Sequence, residues 1–223
     1  MQKNLFHQSL ILETIEKFSY IINAKEKWNE IVIGGPNHKL NLIQDYCQIP
    51  SELDIAIIST TADTRFKIIK EIFENFKINA WILEKILVQS PLDLSELENF
   101  FSDVNSVWVN CGYRAMPTHQ KFRNIIFTQA PMEFYGGSGF WGLACNSVHY
   151  LDLLSWWSDE KIIEIDTSNL EKNWVESKRQ GFWEITGTLK ANYSGGSKLS
   201  LESSQYSVDS KFPVKVKTTK GDW

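Results

Sequence analysis

Residues 53–59 (LDIAIIS) form an almost continuous apolar run. A half-wet strand would alternate apolar with polar; an unbroken run belongs to a strand buried on both faces of a parallel sheet. Thr60, Thr61 and Asp63 follow as candidate helix caps. From Arg65 to Phe76, Phe66, Ile69, Ile72, Phe73 and Phe76 fall on one helical stripe. A second buried strand, Ala80–Leu83, ends at Glu84 and Lys85, and Ser90 and Pro91 open a helix reaching about Phe101. A third strand covers Ser106–Asn110, and Pro117 opens a helix within 116–127. Strand and helix thus alternate three times over 53–127, which predicts right-handed crossovers and a parallel sheet covered by helices. The pattern is that of the second half of a doubly wound domain.

Upstream, Ser9–Phe18 carries Leu10, Ile11, Ile15 and Phe18 near helical spacing, and 19–23 and 31–33 are short β-like runs. The texture changes near Ala130 and Pro131. A flexible stretch, Gly136–Gly139, is read as a chain turn rather than a dinucleotide fingerprint. It precedes a short amphipathic helix predicted over Val148–Trp157, with Asn146 as its cap. Strands are expected over 161–166, 181–189, 198–205 and 214–218, close enough to form antiparallel sheet. The fold class is therefore α/β: a partial Rossmann-like parallel sheet over residues 1–129, then an α+β domain with an open antiparallel sheet over 130–223.

The composition excludes several function classes. Lys and Arg total 23 against 27 for Asp and Glu, a formal charge of -4, which argues against a nucleic-acid partner. Cys47, Cys111 and Cys145 are far apart and form no CxxC, so neither a disulfide scaffold nor a zinc ribbon fits. His7, His38 and His119 show no metal-ligand spacing. No apolar run approaches the ~18 residues that cross a bilayer, and no signal-peptide core is seen at the start. A cytoplasmic location is expected. Nine Trp are present; a well-filled core is the simpler reading, and a sugar-facing or interface surface the sharper one.

Several residues have the chemistry for a site. Lys85, at the carboxyl end of a predicted strand, lies where ligands of open α/β sheets bind, and its ammonium can donate to a hydroxyl or carbonyl. A solvated strand end with a surface ion pair is the structural alternative. His149, early in a helix, suits acid–base chemistry near neutral pH, with Asp152 about one turn on; a core or capping histidine is the alternative. Arg114 can bind a carboxylate or phosphate, or simply lie on the surface. Cys145 reads as a buried inert thiol. Glu176–Arg179 reads as a charged turn, and no GxSxG elbow supports a hydrolase.

The order of these pieces resembles the Gfo/Idh/MocA family of nicotinamide-dependent oxidoreductases, from about Leu53 to the end. Residues 53–63 (LDIAIISTTAD) resemble the family's strand on the nicotinamide side. Residues 81–85 (WILEK) resemble the strand carrying its Glu-Lys-Pro motif. Residues 142–154 (GLACNSVHYLDLL) resemble its glycine-rich segment and Asp-x-x-x-His helix. Residues 109–114 and 176–182 further resemble a subgroup associated with bacterial surface polysaccharides. The resemblance implies hydride exchange between NAD or NADP and a sugar or nucleotide-sugar. Lys85 would orient the substrate hydroxyl and His149 would be the general base. Thr60, Thr61, Glu84 and Lys85 would line the cofactor site, and Arg114, Asn146 and Asp152 the substrate site. A homo-oligomer through the antiparallel sheet is expected from the same source. A non-catalytic relative that binds a sugar or a partner protein is the rival reading.

The chain departs from that pattern in three places. Ile86 follows Glu-Lys where the family has Pro. Cys145 stands where the family has Asp, and a thiol supplies no fixed carboxylate charge. The opening residues show neither the family's first strand nor GxGxxG, so both ends look cut, an exposed sheet edge is expected, and binding of NAD(P) should be weak.

Overall fold

The protein is described by a computed structural model covering residues 9–12, 47, 49–205 and 212–223. The β-like runs at 19–23 and 31–33, together with His7 and His38, lie outside the described residues. The chain divides into two compact units between Asn110 and Cys111.

In the first unit, strands β1 (Ser9–Leu12), β2 (Glu52–Ile58), β3 (Lys77–Glu84) and β4 (Val107–Asn110) form one parallel sheet in that order. Helix α1 (Ala62–Asn75) joins β2 to β3, and α2 (Pro91–Phe100) joins β3 to β4. Ser90 caps α2, its Oγ accepting from the backbone N–H of Leu92 (3.2 Å) and Asp93 (3.4 Å). The helical stripe is as expected: Ile69 and Ile72 are fully buried against Ala56, Ile58, Trp81 and Leu83. Phe66 and Phe73 stack on Phe100, and Phe101 meets Phe73 and Trp81 edge-on. On the opposite sheet face Ile55, Ile57 and Ile82 are only half-buried, so β2 is completely covered on one face rather than two.

Two expectations for the chain start are corrected. Ser9–Leu12 is a strand, not the start of a helix; it pairs in parallel with Ile55–Ile58. An apolar run this short carries too few positions to separate periods of 2 and 3.6, and pairing with β2 decides the outcome. The opening residues, expected to lack a first strand, thus supply one, and β1 in turn forms the edge of the sheet.

The second unit begins with a 3₁₀ turn (Gly112–Ala115) and α3 (Pro117–Ile126). Its main sheet has six strands in the order β12-β11-β5-β10-β9-β6. These are β5 (Glu133–Gly136), β6 (Ile162–Leu170), β9 (Gly187–Tyr193), β10 (Lys198–Ser203), β11 (Val214–Thr218) and β12 (Gly221–Asp222). Only β5 and β10 pair in parallel. A hairpin of β7 (Val175–Glu176) and β8 (Trp183–Glu184) stands apart, so the strand expected over 181–189 is broken in two. The charged turn at 176–179 is its loop, closed by the Arg179 N–H donating to Ser177 Oγ at 3.0 Å.

Helix α4 (Leu143–Ser158) lies on the inner face of this sheet. Leu153, Leu154 and Trp157 pack there with Phe134, Tyr193, Leu199, Leu201 and Val216. The outer face carries Glu133, Tyr135, Lys190, Lys215 and Lys217, with Glu133 accepting from Tyr135 and pairing with Lys217. Of the Trp residues, Trp81 and Trp157 are buried, but Trp108, Trp174, Trp183 and Trp223 are about half or more exposed. A well-filled core accounts for only part of their number.

Candidate active site

In the first unit, the candidate residues gather at the carboxyl ends of β2 and β3. The ladder between these strands ends at Ile58↔Leu83. Beyond it Thr60 is buried, and Thr61 begins α1 with its carbonyl accepting from Thr64 and Arg65. Glu84 is paired with Asn110 in the ladder, and its Oε2 accepts from Asn110 Nδ2 at 2.9 Å. That contact orients the carboxylate and leaves half-buried Lys85 as the next residue out. The Lys85–Ile86 peptide is cis. The surprise is Arg65, which is only 2% exposed. Its guanidinium donates to the carbonyls of Thr60, Ile86 and Leu87. The sequence held one clue: Arg65 sits four residues before Ile69, on the buried stripe.

In the second unit, half-buried His149 stacks flat on Tyr113, ring centroids 4.5 Å apart and planes 10° from parallel. Tyr113 also stacks with His119 (5.3 Å) and meets Tyr150 edge-on. Desolvation pushes the Tyr150 phenol upward, so it stays protonated and able to donate. Asp152 forms a bidentate pair with Arg114, Nε and Nη2 donating at 2.6 and 2.5 Å. That hydrogen bond raises the Arg114 pKa. Arg114 and Asp152 are thus brought together, each offering the other the partner that the sequence reading reserved for a substrate or for His149. Neither His149's ring partner nor the Arg114–Asp152 pair is visible from local spacing, because both arise where the 3₁₀ turn packs on α4.

Burial holds the His119 imidazole below its ordinary value of 6.5. The unfolded chain therefore takes a proton near that pH while the folded unit resists it. Stability linked to His119 should be complete above about pH 6.5 and fall as pH drops below it. Urea midpoints measured from about pH 7.5 to 5.5 should decline, and His119→Gln should flatten that slope. An unchanged slope in the variant would contradict the assignment.

The amino end of α4 revises four readings. The helix begins at Leu143, not Val148, with Gly142 as its N-cap at φ 85°. Asn146 is therefore inside the first turns, where its Nδ2 donates to the Trp141 carbonyl at 2.9 Å. Residues 137–142 (GSGFWG) do have GxGxxG spacing between a strand and a helix, which the turn reading overlooked. Their chemistry is nevertheless not that of a diphosphate cradle. Buried Glu184 places Oε2 2.9 Å from the Ala144 N–H, filling the helix start with a carboxylate. A phosphate there would meet an internal negative charge. A Cβ at position 142 would lie 3.0 Å from Asn146 Nδ2 and 3.1 Å from Glu184 Oε1, so glycine lets both groups close in. Cys145 is exposed, not buried as expected. Position three of a helix whose apolar side faces the sheet points it outward.

The described residues contain no cluster of three or more His, Cys, Asp or Glu suited to a metal, and no helix among them is long and apolar enough to cross a membrane.

A mixed α/β fold with one parallel sheet and one largely antiparallel sheet is shared with solved oxidoreductases. Among solved structures, the chain is similar to the dehydrogenase MviM of Clostridium difficile, with 13% identity and a TM-score of 0.59 over 97% of this chain and 75% of that one. It is similar to the UDP-N-acetylglucosamine 3-dehydrogenase GnnA of Acidithiobacillus ferrooxidans, with 16% identity and a TM-score of 0.54 over 74% and 54%. It is also similar to the WlbA dehydrogenase of Thermus thermophilus, solved with NAD and α-ketoglutarate, with 14% identity and a TM-score of 0.52 over 77% and 60%. The chain spans roughly half to three-fifths of the length of several such neighbours. No protein-family profile and no curated protein match it.

Proposed function

We propose that the protein is an NAD(P)-dependent oxidoreductase acting on a sugar or nucleotide-sugar, in the biosynthesis of a surface polysaccharide. The observation that supports this most is the likeness of its fold to a nucleotide-sugar dehydrogenase and to a dehydrogenase solved with NAD. The ends of β2 and β3 fit the nicotinamide–ribose half of such a cofactor: Glu84 can accept from ribose hydroxyls and Lys85 can donate to them. The start of α4 does not fit the diphosphate, because Glu184 holds it. A bound nicotinamide supplies the hydride chemistry. Lys85 donates to the substrate hydroxyl and steadies charge as it develops on oxygen. In the second unit His149, held flat by Tyr113, is the residue that takes a substrate proton in the oxidative direction and returns it in the reductive one.

Saturation-transfer NMR with millimolar NADH tests the cofactor assignment. The nicotinamide protons should receive more saturation than the adenine protons. Saturation confined to adenine, or absent from both rings, would overturn it.

Exposed Cys145, where the family carries Asp, favours a second reading as a sugar-binding protein without turnover. Binding of a nucleotide-sugar without any redox exchange would select that reading.

A further inference from the structure

Arg65 is an unusual occupant of an apolar stripe. Burying a guanidinium is costly unless its donors are matched, and burial does pull its pKa below the ordinary arginine value, while the charges of Glu84 and Asp63 pull the other way. Its hydrogen-bond acceptors are backbone carbonyls drawn from two different strand ends. Nη2 reaches the Thr60 carbonyl after β2, and Nη1 reaches the Ile86 carbonyl and, at 3.2 Å, that of Leu87 after β3.

These contacts begin where the strand ladder stops. The last β2–β3 pair is Ile58↔Leu83, beyond which the strand register does not continue. Arg65 replaces the ladder with a side-chain bridge. Lys85 lies between two fixed points: Glu84, paired in the sheet with Asn110, and Ile86, whose carbonyl Arg65 holds.

We propose that Arg65 is a positioning residue that sets the backbone of Lys85, and through it the placement of the Lys85 amine; the value of that placement rests on the role proposed for Lys85 above. The chemistry requires a guanidinium. Its planar fork presents donors in fixed directions and can address carbonyls on two strands at once, and it stays charged when buried. A lysine at position 65 keeps the charge but offers one compact ammonium, which cannot span both strand ends.

Competitive amine labelling with acetic anhydride, read by peptide mass spectrometry from about pH 7 to 10, tests this on the full chain without substrate or cofactor. Lys70 and Lys77 of the same unit serve as internal references. In Arg65→Lys, the relative reactivity of Lys85 should change by about threefold across the profile. Lys70 and Lys77 should keep their profiles. A Lys85 profile that superimposes on the parent in the folded variant would overturn the proposal. If the variant does not fold, ¹⁵N-arginine NMR of the parent chain decides: the bridge requires resolved, slowly exchanging Arg65 Nη protons, and averaged signals would overturn it. Neither readout depends on turnover, so a bridge without redox activity would count against the proposed function and not against the bridge.

Discussion

Replacing His149 by alanine should lower turnover by about 10²–10⁴-fold, the usual contribution of a positioned general base, with little change in affinity for NADH. The geometry supports a large effect. The imidazole is half-buried and lies 4.5 Å from the Tyr113 ring in near-parallel contact. Tyr113 in turn contacts His119 and Tyr150, which packs the stack on both rings. Thr61, Glu84 and Lys85 belong to the first unit and His149 to the second. Steady-state kinetics and an NADH titration on the same preparation separate the outcomes. Equal loss of turnover and NADH affinity would mean that His149 maintains structure and does not move protons.

Gly137→Ala should destabilise the second unit by about 3 kcal/mol or more, read as a shift of its urea midpoint. Gly137 has φ 113°, a conformation that residues with a Cβ rarely adopt. A Cβ there would lie 2.0 Å from the Glu202 carbonyl oxygen and 2.9 Å from its backbone N and C. These are backbone atoms at the end of β10, so no side-chain rotation relieves the clash. The same oxygen accepts from Trp141 Nε1 at 2.7 Å, so moving it also breaks the bond that anchors the loop before α4. A variant of unchanged stability would show that β5 and β10 are less rigidly joined than their register indicates.

What the sequence made legible follows from what is local. The apolar run at 53–59 and the stripe through Ile69 and Ile72 depend on periodicity, and the elements built on them stand where expected. Ser90 and Pro91 mark the start of α2 because capping is a contact over two or three residues. Ser9–Leu12 could not be read, since its strand exists through hydrogen bonds to residues more than forty positions away. The start of α4 was set five residues late because Leu143 to Ser147 gives little apolar periodicity, and its actual cap is a glycine backed by Glu184 from a distant hairpin. Lys85 could be read from its place just past a strand end, whereas His149, expected early in a helix, stands six residues after Leu143, the start of α4. The Arg65 bridge, the Tyr113 stack and the Arg114–Asp152 pair could not be read, because each joins segments that only folding brings together.

The account stands most directly on hydride exchange between a sugar carbon and nicotinamide. It can be measured by incubating the protein with NAD or NADP and a UDP-sugar whose ring carbons carry deuterium, then weighing the nicotinamide product. The account predicts reduced cofactor one mass unit heavier than the unlabelled form, with the deuterium lost from the sugar. Unlabelled cofactor alongside fully deuterated sugar, in a preparation shown to bind both, would contradict it.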